Sequence, residues 1–373
     1  LLPLAGFEKL VVYRVGKVEA PFFFNPLIPP HGVPAREWLK KLIQIMCHCY
    51  YLGDGVAFVL QEAMDQAYRE AGAYHGSNQF PSFRDVEDIL EGRITAVLED
   101  EGLALQPPLF SDLGLIFPPV DFELDSPPRV LAVSPRDRIA LERSFLLEPG
   151  LERESFAGIE ERAESDNGPG GAGVSALVVG TGGVGTYPSV VSADDDHADV
   201  VETAFHEWLH NYLVFFPLGR SYFSGDEART LNESVASIGG KALAQAYFDR
   251  YGSPAAPTPA ASDDPSFDFT SEMRTLRRQV EGMLAGGDIE GAETLMESRR
   301  LEFQERGVFL RKLNQAYFAF HGFYADSPGS IDPIGPQLEK LLARSGSPGR
   351  FVEAVRGVTT RAGLDAVLGD TGG

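Results

Sequence analysis

The stretch VVETAFHEWLHNYLVFF, which begins at Val200, holds residues suited to metal chemistry. His206 and His210 stand four positions apart, and Glu207 directly follows the first histidine. On a helix, residues four apart project from one face, so both imidazoles can bind a single ion at about 2 Å. Glu207 lies off this row, where it can reach a metal-bound water without binding the metal. The alternative is a core helix with two hydrogen-bonded histidines.

A third ligand further along the chain favours the metal interpretation. Glu233 lies 23 positions after the second histidine (233 − 210 = 23), in the stretch ARTLNESVASIGGKAL. That gap fits a helix end, a short loop and a returning helix. On the returning helix Glu233 shares a face with the small residues Ala236, Ser237 and Gly240, which allow two helices to pack closely. The alternative is a solvated surface glutamate.

The motifs HEWLH and NESVA resemble those of the gluzincin metallopeptidases, which carry HExxH on one helix and a glutamate ligand in an NExxA-like stretch on the next. The flanking residues are most similar to a bacterial branch of predicted aminopeptidases. The resemblance covers residues 174–250, and LRKLNQAYFAFHGFY is a weaker further match. It implies a zincin-like core in which His206, His210 and Glu233 bind one Zn²⁺ and Glu207 is the general base.

Two histidines and one carboxylate leave a fourth position for water, as in catalytic zinc sites. The implied mechanism is attack of a zinc-bound water on a peptide bond, with Glu207 taking the proton and passing it to the leaving amine. Asn232 precedes the ligand glutamate as in the family, which implies a hydrogen-bonding role beside the ligands.

The sequence therefore predicts a zinc metallopeptidase whose partner is a peptide or protein substrate, and it does not distinguish an aminopeptidase from an endopeptidase. One alternative is a zincin-fold binding or scaffold protein of the cell envelope with weak or no turnover. Another is a metal hydrolase that acts on a different substrate, because the motif does not define the substrate pocket.

Candidate donors for the reaction's oxyanion lie in NQAYFAFHGFY, where Asn314, Tyr317, His321 and Tyr324 recur at intervals of three and four. A polar and aromatic stripe on an apolar helix is typical of a helix that faces a wet cavity. The alternative is an ordinary half-buried helix edge. We expect His321 and Tyr317 to be catalytic, ahead of Tyr222 in the loop between the two ligand helices.

The segment GGVGTYPSVV (182–191) precedes the motif helix and is rich in glycine. By analogy with other zinc peptidases, we expect an edge strand here to which a substrate peptide adds as a further strand. Pro188 suits an edge rather than a central strand. This predicts that Thr186 and Tyr187 line the substrate cleft.

Three other motifs are given structural interpretations. GTGGVG (180–185) has dinucleotide-binding spacing, but strand-forming residues and Pro188 follow it where that site needs a helix, so we expect a turn between strands. ADDDHAD (193–199) lacks the glycine and spacing of a calcium loop and is expected to cap the motif helix. The cysteines of MCHCYY (46–51) are expected to be buried helix residues, with a Cys-His-Cys metal grip as the alternative.

The bulk composition limits the partners. The 373 residues carry a net charge of −22, from 32 basic and 54 acidic side chains, which argues against binding nucleic acid or anionic lipid. No run of about 18 apolar residues is present, so membrane association would need a segment missing from this chain. Because the sequence begins without methionine, we expect a removed signal peptide, anchor or tag, and hence a bacterial cell-envelope or extracytoplasmic location, with the cytoplasm as the alternative.

The element pattern predicts an α+β fold, mostly helical with a small mixed sheet. We expect an N-terminal α+β region of unknown role over 1–165 and a zincin-like catalytic region over 172–373, with a linker at 251–265 and a helical C-terminal part. Further expected elements are a helix interrupted near Gly53–Gly55 within 35–72, helices over 82–103, 150–165 and 227–250, two strands within 120–134 and two within 174–192, and helical segments over 267–325 and 334–369.

Overall fold

The computed structural model describes residues 25–50, 54–103, 117–165, 173–192, 197–252 and 267–370. The described chain is mostly helical with two small three-stranded sheets, which confirms the α+β class. Most of the expected linker, and residues 193–196 of the expected helix cap, lie outside the described residues. Two compact units are formed, the first by Leu1–Tyr51 with Val59–Ile89 and the second by Leu52–Phe58 with Leu90–Gly373.

The first unit contains α1 (Ala35–Tyr50), most of α2 (Asp54–Glu70) and the start of α3 (Phe83–Asp100). These elements follow the expected helices and the expected interruption between the first two. The indole of Trp38 donates a hydrogen bond of 2.7 Å to the carbonyl of Pro26, so the turns that precede α1 are tied to that helix.

The strands of the second unit form two separate sheets. In chain order they are β1 (Phe122–Asp125), β2 (Arg129–Pro135), β3 (Arg143–Leu147), β4 (Val174–Gly180), β5 (Gly183–Val184) and β6 (Ser189–Ser192). One sheet has the order β1-β6-β5, with β1 parallel and β5 antiparallel to β6. The other is antiparallel with the order β3-β2-β4. In the described sheets, β5 is therefore an edge strand beside the motif helix.

Strand pairing differs from the sequence expectation. The two strands expected within 120–134 exist, but β1 and β2 belong to different sheets. The 174–192 segment holds three strands, because the glycine turn after β4 leads into the short β5. β3 was not expected, because its sequence RSFLL does not alternate between apolar and polar residues. In the structure its three central side chains are exposed. The expected boundary near residue 165 falls inside the second unit, because β2 pairs with β4 across it.

The antiparallel sheet has both faces covered. Val130 and Ala132 pack toward α10 (Gln315–His321), whereas Leu131 and Val133 pack toward α4 (Phe156–Glu164). Successive strand residues point to opposite faces, so a strand covered on both sides is apolar throughout, as VLAV is. The sheet thereby holds α10 in place. The remaining helices of this unit are α5 (His197–Leu213), α6 (Pro217–Arg220), α7 (Asp226–Tyr251), α8 (Phe269–Ala285), α9 (Ile289–Glu305), α11 (Ile334–Ser345), α12 (Pro348–Val355) and α13 (Arg361–Asp370).

A buried ion pair connects α4 to the chain before α10. Glu160 is buried, accepts a hydrogen bond of 2.7 Å from the Val178 amide and pairs with both guanidinium nitrogens of Arg311. Burial opposes ionisation, but Arg311 and the Val178 amide outweigh it and lower the pKa of Glu160. The carboxylate therefore stays charged, and removing it would leave the partly exposed guanidinium of Arg311 with the Val178 carbonyl but without its counter-ion.

We predict that Glu160→Ala lowers the free energy of unfolding by about 2 kcal/mol, because it frees a strand amide and removes the counter-ion of Arg311, whose 39% exposure reduces the loss. Urea denaturation followed by circular dichroism measures this. The matched control is Glu297→Ala, which removes an exposed partner of Arg300 on α9 and should change stability by less than about 1 kcal/mol. Equal losses in the two variants would contradict the prediction.

Candidate metal centre

The rotation of α5 is fixed by its apolar side. Phe205 and Leu209 are fully buried, and the indole of Trp208 donates a hydrogen bond of 3.1 Å to the carbonyl of Pro118. These contacts leave the opposite edge of the helix, which carries His206 and His210, turned toward a cavity.

Three side chains from two helices meet at one point. The Nε2 atoms of His206 and His210 lie 3.0 Å apart, and Oε2 of Glu233 on α7 lies 3.7 Å and 3.4 Å from them, respectively. Ligand atoms held at about 2.0–2.1 Å in a tetrahedron lie about 3.3 Å from one another. The three distances scatter around that value, so this donor set fits a single Zn²⁺. Within the described residues, this is the group that could hold a metal ion.

Close contact between α5 and α7 makes this meeting possible. A Cβ placed on Gly240 would lie 3.2 Å from the carbonyl oxygen of Glu202 and 3.2 Å from the amide of His206. A Cβ on the preceding Gly239 would lie 3.0 Å from Leu209. The paired glycines let the helix backbones approach to a distance that larger residues would prevent, as the small-residue face of the sequence indicated.

The glutamate is held by a hydroxyl on its other oxygen. Tyr222, in a short 3-10 turn before α7, donates a hydrogen bond to Oε1 of Glu233. Burial, followed by the Glu233 charge, raises the pKa of Tyr222, so the hydroxyl keeps its proton for donation. Tyr222 was the lower-ranked candidate donor to an oxyanion; it lines the cavity, but its hydroxyl is bonded to the Glu233 carboxylate.

The charges of the cluster are coupled. Burial opposes a charge on His210, but Glu233, with smaller contributions from Glu207 and Asn232, raises its pKa to about 9. Burial also opposes the Glu233 charge, yet the two imidazoles lower the pKa of this carboxyl well below its ordinary value. The buried Glu233 carboxylate thus stabilises positive charge next to it, as the raised pKa of His210 shows.

Asn232 lies next to the ligand carboxylate in sequence and lines the same cavity. Its amide nitrogen donates a hydrogen bond of 3.4 Å to the carbonyl of Leu218 on α6. Its Oδ1 is buried and accepts no hydrogen bond of ordinary geometry. Together with its effect on His210, this position is compatible with the supporting role implied by the resemblance.

Glu207 is buried beside the ligand group without joining it. Burial raises the pKa of its carboxyl. The glycines around β5 lie directly against it, since a Cβ on Gly183 or Gly185 would lie 2.8 Å or 3.1 Å from a Glu207 oxygen. A side chain at either position would therefore displace the carboxylate or the strand.

A cavity of about 740 Å³ contains the three candidate metal ligands, Glu207 and the residues of β5, and we call it the principal cavity of the site. Thr186 and Tyr187, which were expected to line it, lie in the turn beyond. The Thr186 hydroxyl donates a hydrogen bond of 2.6 Å to the Pro188 carbonyl, and Tyr187 is 58% exposed with its hydroxyl near Asp121. Gly183, Val184 and Gly185 take their place as cavity lining.

The expected stripe of polar and aromatic residues is divided by the end of its helix. Tyr317 packs into the apolar clusters between the sheet and α8, and burial raises its pKa to about 12. His321 lies 4.3 Å from the Tyr317 ring, between centroids, and lines a second, smaller cavity. Tyr324, three residues after α10 ends, lines both cavities and lies 6.2 Å from the His206 ring. The structure thus brings Tyr324, rather than Tyr317, to the metal ligands.

The glycines of β5 lie in the segment for which an edge strand was expected, and β5 is an edge strand of its sheet. Their close approach to Glu207 was not anticipated from the sequence. Glu202 was given no role, yet it stands four residues before His206 and so shares its helix face. Glu202 lines the smaller cavity together with His206 and Glu207.

Comparisons with protein-family models, with curated proteins and with solved structures found no match for this chain. Among the helices of the described residues, none is both long and apolar enough to span a bilayer.

We predict that Tyr222→Phe weakens zinc binding by about tenfold, because the Glu233 carboxylate loses the donor that orients it. Competition with a chromophoric chelator measures the zinc Kd. Tyr187→Phe removes an equivalent hydroxyl from an exposed turn and should leave the Kd unchanged. If both variants bind zinc as the wild type does, the hydrogen bond does not support the metal centre.

Proposed function

We propose that the chain is a zinc-dependent metallopeptidase of the gluzincin type. The observation that carries the proposal is the convergence of His206, His210 and Glu233 at distances suited to one tetrahedral ion, beside the buried Glu207. A bound Zn²⁺ supplies Lewis acidity, which lowers the pKa of a coordinated water and polarises a carbonyl.

Glu207 is suited to moving the proton of this reaction. It is held away from the ligand group, so its oxygens are available to a water molecule. The burial that raises its pKa brings its proton affinity closer to the value that general base and general acid catalysis need at neutral pH. In the proposed reaction Glu207 accepts a proton from the attacking water and delivers it to the leaving amine.

The edge strand β5 offers a binding surface for a peptide backbone. It pairs on one side with β6, and its residues line the principal cavity on the other. An extended peptide can add to such an edge through main-chain hydrogen bonds. The glycines on β5 would let the peptide bond come close to Glu207. Exposed apolar side chains around the cavity offer contacts to substrate side chains, namely Leu146, Val214 and Phe223.

Tyr324 is the proposed hydrogen-bond donor to the oxyanion. Burial, followed by the charges of Glu233 and Glu207, raises its pKa well above the ordinary value, so its hydroxyl remains a donor. A neutral donor already in place where negative charge develops lowers the barrier because little reorganisation is needed. This assignment replaces the roles expected for Tyr317 and His321.

The general-base assignment is tested with Glu207→Gln. We predict one equivalent of zinc in both wild type and variant, with cleavage of a peptide library lowered by about a thousandfold in the variant, since the proton acceptor is lost. Glu305→Gln makes the same type of substitution at an exposed position on α9 and serves as the matched control for cleavage. Zinc in both proteins without cleavage by either would favour the binding or scaffold alternative. Absence of zinc from both would contradict the metal centre.

Tyr324→Phe tests the oxyanion donor separately. We predict a fall in kcat of about a hundredfold with little change in KM, because the hydrogen bond is strongest in the transition state. Steady-state kinetics on the best library peptide measures both constants. Tyr317→Phe is the matched control and should retain wild-type kcat. If Tyr317→Phe lowers kcat and Tyr324→Phe does not, the role expected for Tyr317 is restored.

A further inference from the structure

A second cavity of about 300 Å³ adjoins the principal one. The two share lining residues at the proposed reaction centre, among them His206, Glu207 and Tyr324. Beyond them the smaller cavity is lined with polar groups, which include Glu202, Ser237 and His321. A substrate group placed here would lie next to the bond that Glu207 helps to cleave.

Glu202 brings an incompletely neutralised carboxylate to this cavity. It accepts no hydrogen bond from the described residues, and its nearest cation, Lys241, lies 3.9 Å away. The Lys241 ammonium instead lies 2.5 Å from Asp326, which also accepts a hydrogen bond from the Ser237 hydroxyl. Burial raises the pKa of Glu202, and Lys241 lowers it by a smaller amount. The charges of Asp199 and Asp326 raise it further, so the pKa of Glu202 is raised overall. The carboxylate would gain from another cation.

His321 adds a second polar group without a partner. No described residue hydrogen-bonds to its ring, although the ring is largely buried at the cavity wall. Burial lowers the pKa of His321 to about 4, so the imidazole is neutral near pH 7 and can accept a hydrogen bond through one nitrogen. The Ser237 hydroxyl uses its proton on Asp326 and also retains acceptor capacity.

The acceptors of the cavity match the donors of an ammonium ion. An ammonium group carries three N–H donors and no acceptor. The cavity provides a carboxylate, a neutral imidazole and a hydroxyl oxygen, each able to accept. The principal cavity differs, because exposed apolar side chains flank it, including Phe223 at 95% exposure and Leu146 at 71%.

We propose that the smaller cavity is a substrate subsite for a primary ammonium group next to the scissile bond, with Glu202 as its counter-ion and His321 and Ser237 as further acceptors. This proposal rests on the proposed peptidase function. The ammonium can come from two parts of a peptide, a free α-amine or a lysine side chain. Glu202 and His321 act in binding and not in the chemical step.

The first experiment measures binding without turnover. n-Butylamine and n-butanol have the same chain length and differ in charge, and neither can be cleaved. We expect saturation-transfer NMR to show n-butylamine binding to the wild type about tenfold or more tightly than n-butanol, because a charge-assisted hydrogen bond is lost in the alcohol. Glu202→Gln should remove this difference. Glu339→Gln, an exposed carboxylate near Lys241 and outside the cavity, should retain it.

The second experiment measures cleavage. Peptides are compared that carry lysine, norleucine or glutamate on either side of the scissile bond, each with a free or an acetylated N-terminus. We expect kcat/KM to favour one ammonium position by about tenfold or more, Glu202→Gln to remove that preference, and Glu339→Gln to retain it. Loss of activity on acetylation identifies the α-amine as the source, whereas dependence on lysine identifies the side chain.

The two readouts separate failure of this subsite from failure of the peptidase proposal. Selective n-butylamine binding without any peptide cleavage would support the subsite and contradict the peptidase. Cleavage that is indifferent to Glu202→Gln, together with equal binding of the two probes, would overturn the subsite. Glu202→Asp distinguishes the loss of charge in Glu202→Gln from a folding defect, because it keeps the charge and should recover part of the ammonium preference.

Discussion

The close packing of α5 against α7 is the constraint on which the site depends. Gly240 lies so near the backbone of Glu202 and His206 that a larger residue would push the helices apart. At this separation a glutamate side chain can reach two imidazoles on the neighbouring helix, and no longer side chain is needed. The proposed metal centre therefore depends on backbone distance as much as on the identity of the three residues, since the same residues on helices set further apart would not meet.

Burial gives these residues their chemistry. Glu207 and Glu233 are buried at the cavity wall and Tyr324 is half-buried there, so burial raises the pKa of Glu207 and of Tyr324, whereas the imidazoles keep Glu233 charged. Glu233 contacts both imidazoles and accepts a hydrogen bond from Tyr222, whereas no hydrogen bond to the Glu207 carboxylate is formed within the part of the chain that the structure describes. The two glutamates are thereby suited to the different roles that we propose for them, one as a metal ligand and one as a proton carrier.

Local patterns predicted the parts of the structure that local interactions determine. The helices that carry His206 and Glu233 were predictable because periodicity, motif spacing and small residues all lie within one helix pair. Strand pairing was not predictable, because β1 and β6 meet across more than 60 intervening residues and their short sequences do not encode a partner.

The stripe around α10 shows a second limit of sequence patterns. The spacing of Tyr317 and His321 is helical, but Asn314 caps the helix and Tyr324 lies beyond its last residue. Helical periodicity therefore could not indicate which ring faces the metal ligands. That choice depends on how the chain turns after His321, where Arg277 binds the carbonyls of Phe318 and Gly329.

The central claim is that His206, His210 and Glu233 bind one metal ion together. The most direct test is an anomalous difference map from zinc-loaded crystals, recorded on either side of the zinc absorption edge. We expect a single strong peak within bonding distance of both Nε2 atoms and a Glu233 carboxylate oxygen. A map with no peak among these three side chains, or with its peak at another cluster such as Cys47-His48-Cys49, would contradict it.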